Sequence, residues 1–182
     1  MKFSKKKIDG VIEIENKVFE DQRGSFTKTF HKNEFKEHGL EYDFAESFYS
    51  VSKKNVLRGM HFQASPHDHA KLVYVVSGEI MDVTVDIRKE SATFGQFYST
   101  TLSGDNAKFL YMGKGLAHGF LTLSESATVI YMTSSVHNPT ADSGIRWDSF
   151  GYSWPINNPI ISARDQSFDS LKNKPKGDDT NE

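Results

Sequence analysis

The sequence predicts an all-β domain, closed or two-sheeted, on three observations. Between residues 44 and 135, short apolar runs recur at strand length, separated by SerGlyGlu at 77–79, SerGlyAspAsn at 103–106, GlyLysGly at 113–115 and SerGluSer at 124–126. Many short strands at that spacing mark barrels and sandwiches. The run at 71–88 alternates most clearly, with Met81, Val83, Val85 and Ile87 set against Asp82, Thr84, Asp86 and Arg88. Two β-rich stretches flanking residues 77–79 predict a hairpin with one buried face. The third observation is aromatic content: 14 Phe and 7 Tyr favour strands and the walls of ligand pockets.

Taken in chain order, residues 8–30 read as strands, with ValIleGluIle at 11–14 and PheThrLysThrPhe at 26–30 on either side of the turn-like DQRG at 21–24. HKNEFKEHG at 31–39 has helix-forming composition, and Gly39 falls where a C-cap belongs. After the 71–88 run, further strands are expected at 94–102, 107–112, 117–123 and 127–135. Beyond Asn138-Pro139 the chain turns irregular, carrying Trp147, Trp154, Pro155 and Pro159. The last stretch, KNKPKGDDTNE at 172–182, lacks apolar anchors and reads as a disordered tail. With 182 residues, no repeat and no linker, the expectation is one domain over 1–171 followed by that tail.

Composition excludes several function classes. A net charge of -2, with basic residues scattered apart from the solvated LysLysLys at 5–7, points away from nucleic acid and membrane surfaces. The absence of cysteine removes disulfides, thiolate metal sites and cysteine nucleophiles. No apolar run approaches the roughly 20 residues that cross a bilayer. The basic start is not followed by the apolar stretch of a signal peptide. A cytoplasmic enzyme is the expectation.

Seven histidines raise the metal question. His67-Asp68-His69 resembles half of a cupin metal motif, but position 74, where a Glu ligand belongs, is Tyr. GlyLysGlyLeuAlaHis at 113–118 supplies His118, with Gly113 in place of the usual Pro. A hard divalent ion would lose its carboxylate, so no metal is expected. The denser cluster is LRGMHFQ at 57–63. Gly59 permits close approach of backbone and ligand, and in a strand His61 faces away from Met60 and Phe62. Lys71 starts the next strand, His118 opens another, and Tyr131 sits inside ThrValIleTyrMet. In a jelly roll such inward polar residues converge on one cavity. The plainer readings (a bonded semi-buried histidine, a core tyrosine, a surface lysine) would have to hold for all of them together.

Those stretches, with FEDQRGSF (19–26), SVSKKNVLRGMHFQ (50–63), HAKLVYVVSGEIMDVTVDIRKESATFGQF (69–97), GKGLAHGFLTLSE (113–125), HNPTADSGIRW (137–147) and ISARD (161–165), resemble the dTDP-4-dehydrorhamnose 3,5-epimerases of deoxysugar biosynthesis. The resemblance implies a cupin-type jelly-roll barrel with a few short helices and a nucleotide-diphospho-4-keto sugar substrate. It makes His61 the general base, Tyr131 the general acid, Asp165 the carboxylate that orients the base, and Lys71 the neighbour of the keto oxygen. Arg58 and His118 would line the sugar and diphosphate. Arg23 would come from the partner in a strand-exchanged homodimer. Phe26, Gln63, Asp142 and Arg164 complete the expected substrate-binding set. The chemistry is coherent: a C4 ketone acidifies hydrogens at C3 and C5 because the carbanion is an enolate. A preorganised cation at the oxyanion contributes on the order of 3 kcal/mol.

Three departures bear on specificity. Lys28 stands where the family has Glu, Glu46 and Phe48 stand where it has Gln and Asn, and His137 replaces a Tyr. The first two lie at positions associated with the nucleotide base, so guanosine- or cytidine-linked sugars compete with thymidine-linked ones. The loss of the Tyr near the sugar makes inversion at a single carbon a rival to 3,5-epimerisation. Two readings of another class are a metal-dependent cupin using His67, His69 and His118, and a non-catalytic carbohydrate-binding module.

Overall fold

Two antiparallel sheets face each other across a shared interior in the computed structural model, which describes residues 1–173. The strands are β1 (Lys2–Lys5), β2 (Val11–Glu15), β3 (Val18–Asp21), β4 (Gly24–Thr27), β5 (Glu46–Lys53), β6 (Leu57–Gln63) and β7 (Lys71–Ser77). They continue as β8 (Glu79–Asp86), β9 (Phe97–Ser103), β10 (Lys108–Met112), β11 (Leu116–Thr122), β12 (Ser126–Thr133) and β13 (Asp142–Gly144). One sheet runs β1-β2-β10-β7-β12-β5 and the other β13-β6-β11-β8-β9, while β3 and β4 form a separate hairpin. Helix α1 (Lys32–Glu37) has His31 as its N-cap, and α2 (Ala163–Gln166) precedes a 3-10 turn at Leu171–Asn173. This is the jelly-roll layout that the strand spacing and the resemblance predict. The tail expected over 172–182 lies, beyond Asn173, outside the described residues.

Alternation explains the layers. Val11, Val73, Val75, Leu110, Met112 and Val129 of the six-stranded sheet point inward and meet Ile80, Leu102, Leu116 and Phe120 of the other. The opposite faces are buried as well. Ile12, Ile14, Leu72, Tyr74, Phe109 and Tyr111 pack under Phe35 of α1. Leu57, Met60, Val83, Val85 and Leu121 are covered by Trp154, Trp147, Phe150 and Tyr152 of the irregular stretch after Pro139. The aromatic residues of that stretch roof the outer face of the five-stranded sheet.

Two expectations for residues 71–88 are corrected here. β7 and β8 do not pair as a hairpin; each lies in a different sheet, and the chain crosses between them at Gly78. The crossing needs glycine: its φ is +78°, and an added Cβ would lie 2.0 Å from the Ser126 carbonyl oxygen. Nor is only one face of β8 buried. Its apolar residues Val83 and Val85 face outward under the aromatic roof, and Asp82, Thr84 and Asp86 point into the barrel with no exposed surface. The polar face is the interior one.

A buried carboxylate must be bonded. Asp86 accepts from Arg88 Nε at 2.9 Å and Nη2 at 2.8 Å, and from the hydroxyls of Ser91 and Thr93 at 2.6 Å each. Burial alone would raise its pKa; those bonds outweigh it and hold the carboxyl down at about 2, against 3.8 unperturbed. Because the folded pKa is the lower one, the stabilisation is present above pH 4 and is lost as pH falls toward 2. Asp86→Asn is expected to cost about 2 kcal/mol at neutral pH and to flatten the loss of stability between pH 4 and pH 2. Urea denaturation of both proteins across that range checks it.

Candidate active site

The site begins with an irregularity in β6. Its register against β11 pairs His61 with His118 and Arg58 with Phe120, so β6 holds one more residue than β11 over that interval. Strict alternation would turn Arg58 and His61, three apart, to opposite faces. The bulge turns both inward and sends the fully buried Met60 outward. Gly59 makes it possible with φ +131°; a Cβ there would lie 2.5 Å from Gly119 Cα. The close approach expected at Gly59 is therefore to the backbone of β11.

The same bulge receives Asp165. Its Oδ2 accepts from the Gly59 amide at 3.0 Å, and its Oδ1 lies 2.9 Å from His61 Nε2. Asp165 sits in the first turn of α2, where its own amide donates to the N-cap Ser162 Oγ at 3.0 Å. Burial would raise this carboxyl. The hydrogen bond and charge of His61, then the Gly59 and Ser162 bonds, outweigh burial, and the pKa is lowered. Asp165 stays an anion and holds the imidazole with Nε2 toward it.

Tyr131 comes from the facing sheet. β12 pairs with β5 so that Tyr131 opposes Phe48, their rings stacked at 4.8 Å, and the Tyr131 hydroxyl lies 3.1 Å from Ser50 Oγ. Burial raises the phenol above its usual range, with the Ser50 bond opposing, so it remains protonated. Lys71 points inward from the start of β7 and donates to the His61 carbonyl at 3.4 Å. Burial lowers its ammonium to about 8 against the opposing charges of Asp142 and Asp82. His118, next to His61 across β11, places Nε2 2.7 Å from Asp82 Oδ2. Arg58 Nε donates to Ser52 Oγ at 2.8 Å.

His61, Tyr131, Lys71, His118, Arg58 and Ser50 line one cavity of about 260 Å³ together with Glu46, Phe48, Gln63, His137, Asp142 and Arg164. At its mouth Asp142 Oδ2 accepts from Arg164 Nη2 at 2.7 Å and lies 3.3 Å from His137 Nε2, while Glu46 Oε2 accepts from the His137 amide at 2.7 Å. Gln63, expected to bind substrate, is engaged within the protein: its amide nitrogen donates to the His67 carbonyl at 2.8 Å and its oxygen accepts from the Asn138 amide at 2.6 Å.

Arg23, Phe26 and Lys28 are not brought to this cavity. All three are exposed on or just after the β3–β4 hairpin, with Arg23 Nη2 held by Asp21 at 2.6 Å. His67 is exposed, His69 Nδ1 lies 3.0 Å from Gln63 Nε2, and His118 is paired with Asp82. Among the described residues, no three His, Asp or Glu side chains are grouped so as to hold a metal ion. Sequence reading missed Ser50 and His69, which line the cavity, and Asp82, the fully buried partner of the cavity residue His118. Asp82 shares the parity of Ile80 on β8, and the inward direction of that face is set by the packing of Ile80 in the barrel interior.

A jelly roll of the cupin type, with a histidine–carboxylate pair on one sheet facing a protonated phenol on the other, is a protein equipped for proton transfer at carbon. The comparisons agree with that class and narrow it. The family model described as dTDP-4-dehydrorhamnose 3,5-epimerase matches residues 5–173, and the chain belongs to that family. It is 41% identical to the dTDP-4-dehydrorhamnose 3,5-epimerase of Methanothermobacter thermautotrophicus, over 96% of both chains. It is 35% identical to a dTDP-4-dehydrorhamnose 3-epimerase of Streptomyces niveus, over 87% of this chain and 78% of that one. Among solved structures, the Legionella pneumophila dTDP-6-deoxy-D-glucose-3,5-epimerase, in complex with dTDP-4-keto-L-rhamnose, superposes with a TM-score of 0.90 at 35% identity, covering 94% and 93% of the two chains.

Two outcomes follow from this geometry. Gly59→Ala must open the β6–β11 contact, displacing both His61 and the amide that holds Asp165. Epimerisation is expected to fall at least about 100-fold, with roughly 2 kcal/mol of stability lost, read by turnover and by urea denaturation. For Lys71 the folded pKa, about 8, lies below the unbound 10.5. Between those two values the unfolded chain binds more protons, so stability rises with pH across that window, and below it the charged ammonium costs stability, neutral pH included. Turnover should decline as pH rises through about 8. Lys71→Met should lose turnover at every pH yet gain about 2 kcal/mol at pH 7, measurable by thermal melting.

Proposed function

We propose that the protein is a cofactor-independent 3,5-epimerase of a thymidine-diphosphate-linked 4-keto-6-deoxy sugar, serving deoxysugar and surface-polysaccharide synthesis. The observation that carries this reading is the placement of His61 and Tyr131 on opposite sheets around one cavity, with Asp165 behind the base and Lys71, on the sheet of Tyr131, reaching the His61 carbonyl. His61, with Nε2 bound to Asp165, takes the hydrogen next to the ketone through its other ring nitrogen. The electron pair moves onto the C4 oxygen, where the Lys71 ammonium balances it. Tyr131 delivers its proton to the same carbon from the opposite face, so the centre inverts and a phenolate remains. The imidazolium and the phenolate then reset by exchange with water, which is why solvent hydrogen enters the product. Ring rotation of the intermediate presents the second carbon to the same pair.

Arg23, Phe26 and Lys28 reach the diphosphate and base by way of a second copy of the chain. Their exposure outside their own cavity supports a homodimer, as do the exposed Tyr49 and Val51 on the edge strand β5. Inversion at one carbon is the second reading. It is favoured by His137 at the mouth, tied to Asp142, and by the family's 3-epimerase relative.

Incubation in deuterated water with thymidine-, guanosine- and cytidine-linked 4-keto-6-deoxy sugars tests both. Deuterium at C3 and C5 of the thymidine-linked sugar, unaffected by chelator, is the expected result, and deuterium at one carbon alone assigns the single-centre reading. His61→Ala is expected to slow exchange roughly 1,000-fold while leaving thymidine diphosphate binding intact. No exchange by the wild-type protein with any of the three sugars overturns the assignment.

A further inference from the structure

Beside Lys71, the cavity holds a hydrogen-bond donor that no atom of the described residues accepts. His69 lies two residues before Lys71 on the same extended segment. Ala70, between them, belongs to the outer layer with Leu72, so alternation turns His69 and Lys71 to the cavity side, and both line it. The Nδ1 atom of His69 is held as an acceptor, 3.0 Å from Gln63 Nε2 and 3.4 Å from Ser135 Oγ. Gln63 cannot exchange its amide ends without losing bonds. Its oxygen accepts from the Asn138 amide, and its nitrogen donates to the carbonyls of His67 at 2.8 Å and Val136 at 3.3 Å. Burial, and next the Lys71 charge, push the His69 pKa down to about 4, so the ring is neutral. A neutral ring accepting at Nδ1 carries its proton on Nε2. That Nε2 is buried and lacks a partner. An unpaired buried N–H costs about 1–3 kcal/mol, and such groups call for an explanation.

We infer that the His69 Nε2–H is a second donor to the C4 oxygen of the 4-keto sugar, acting with Lys71 on the oxyanion formed when His61 removes the neighbouring hydrogen. The inference rests on the epimerase reading. A single ammonium leaves lone pairs of the enolate oxygen unbonded by the protein. A neutral imidazole N–H satisfies one of them without adding a second positive charge beside Lys71. Gln63 thereby acquires a role: it fixes which nitrogen of His69 carries the proton.

The test compares His69→Phe, which keeps a ring but has no donor, with His69→Gln, whose side-chain amide can donate. Rates of deuterium uptake by the thymidine-linked 4-keto sugar give kcat and KM, and titration with thymidine diphosphate reports binding. His69→Phe is expected to lower kcat roughly 100-fold while leaving KM and thymidine diphosphate affinity within about twofold. His69→Gln should recover at least about a tenth of the wild-type kcat, a rescue that a purely packing role would not produce. Should the Phe variant fail to fold, His69→Leu is read in the same way. An unchanged kcat in the donor-less variant, a loss confined to KM, or equal losses in the Phe and Gln variants overturns the inference. If the wild-type protein itself exchanges nothing, the epimerase reading fails instead, and the two failures are distinguishable.

Discussion

The carboxylate of Asp165 ties this protein together. One oxygen faces His61 and the other accepts from the Gly59 amide, so a single buried anion joins the helix after the roof segment to the bulge in β6. Leaving that anion unpaired would cost several kcal/mol, and both partners lie on one short stretch of backbone. The His61 imidazole is therefore oriented by the same contact that closes the fold over it. Gly59 is the hinge of the arrangement: its backbone angle makes the bulge, its missing side chain admits β11, and its amide meets the carboxylate.

Around this pair the interior is built to keep titratable groups in unequal states. Burial keeps the Tyr131 phenol protonated and brings Lys71 close to neutrality without discharging it at pH 7. Burial and Lys71 together keep His69 uncharged. Asp82 and His118 add a second carboxylate–imidazole pair, with His118 on the cavity wall and Asp82 buried behind it. Proton transfer at carbon needs such separation: a loaded acid on one wall, a base on the other, and positive charge where the oxyanion forms. A wetter site would let water level these differences.

The cost of a polar interior is met outside the barrel. Because Asp82, Thr84 and Asp86 occupy inward positions of β8, the apolar alternate residues face out and must be covered. The irregular chain after Pro139 supplies that cover, then continues into the short helix that delivers Arg164 and Asp165. The aromatic roof and the Asp165 carboxylate are thus parts of one continuous segment.

Much of this was legible in the sequence. Strand spacing and aromatic content determined an all-β barrel, the helix before Gly39 is where its composition placed it, and LRGMHFQ with Lys71, His118 and Tyr131 marked the cavity residues. These are local signals: propensity, turn chemistry and inward polar side chains are read within a few residues. What only the tertiary structure decided is partnership. A period of two says that residues 82, 84 and 86 share a face, but not which face is inside, because a strand covered on both sides buries polar and apolar alternates alike. The crossing at Gly78 between sheets, the pairing of Asp82 with His118 and the fixing of His69 by Gln63 each join segments through space. Hydrogen-bond partners of buried groups are chosen by where the sheets meet, and that choice leaves no trace along the chain.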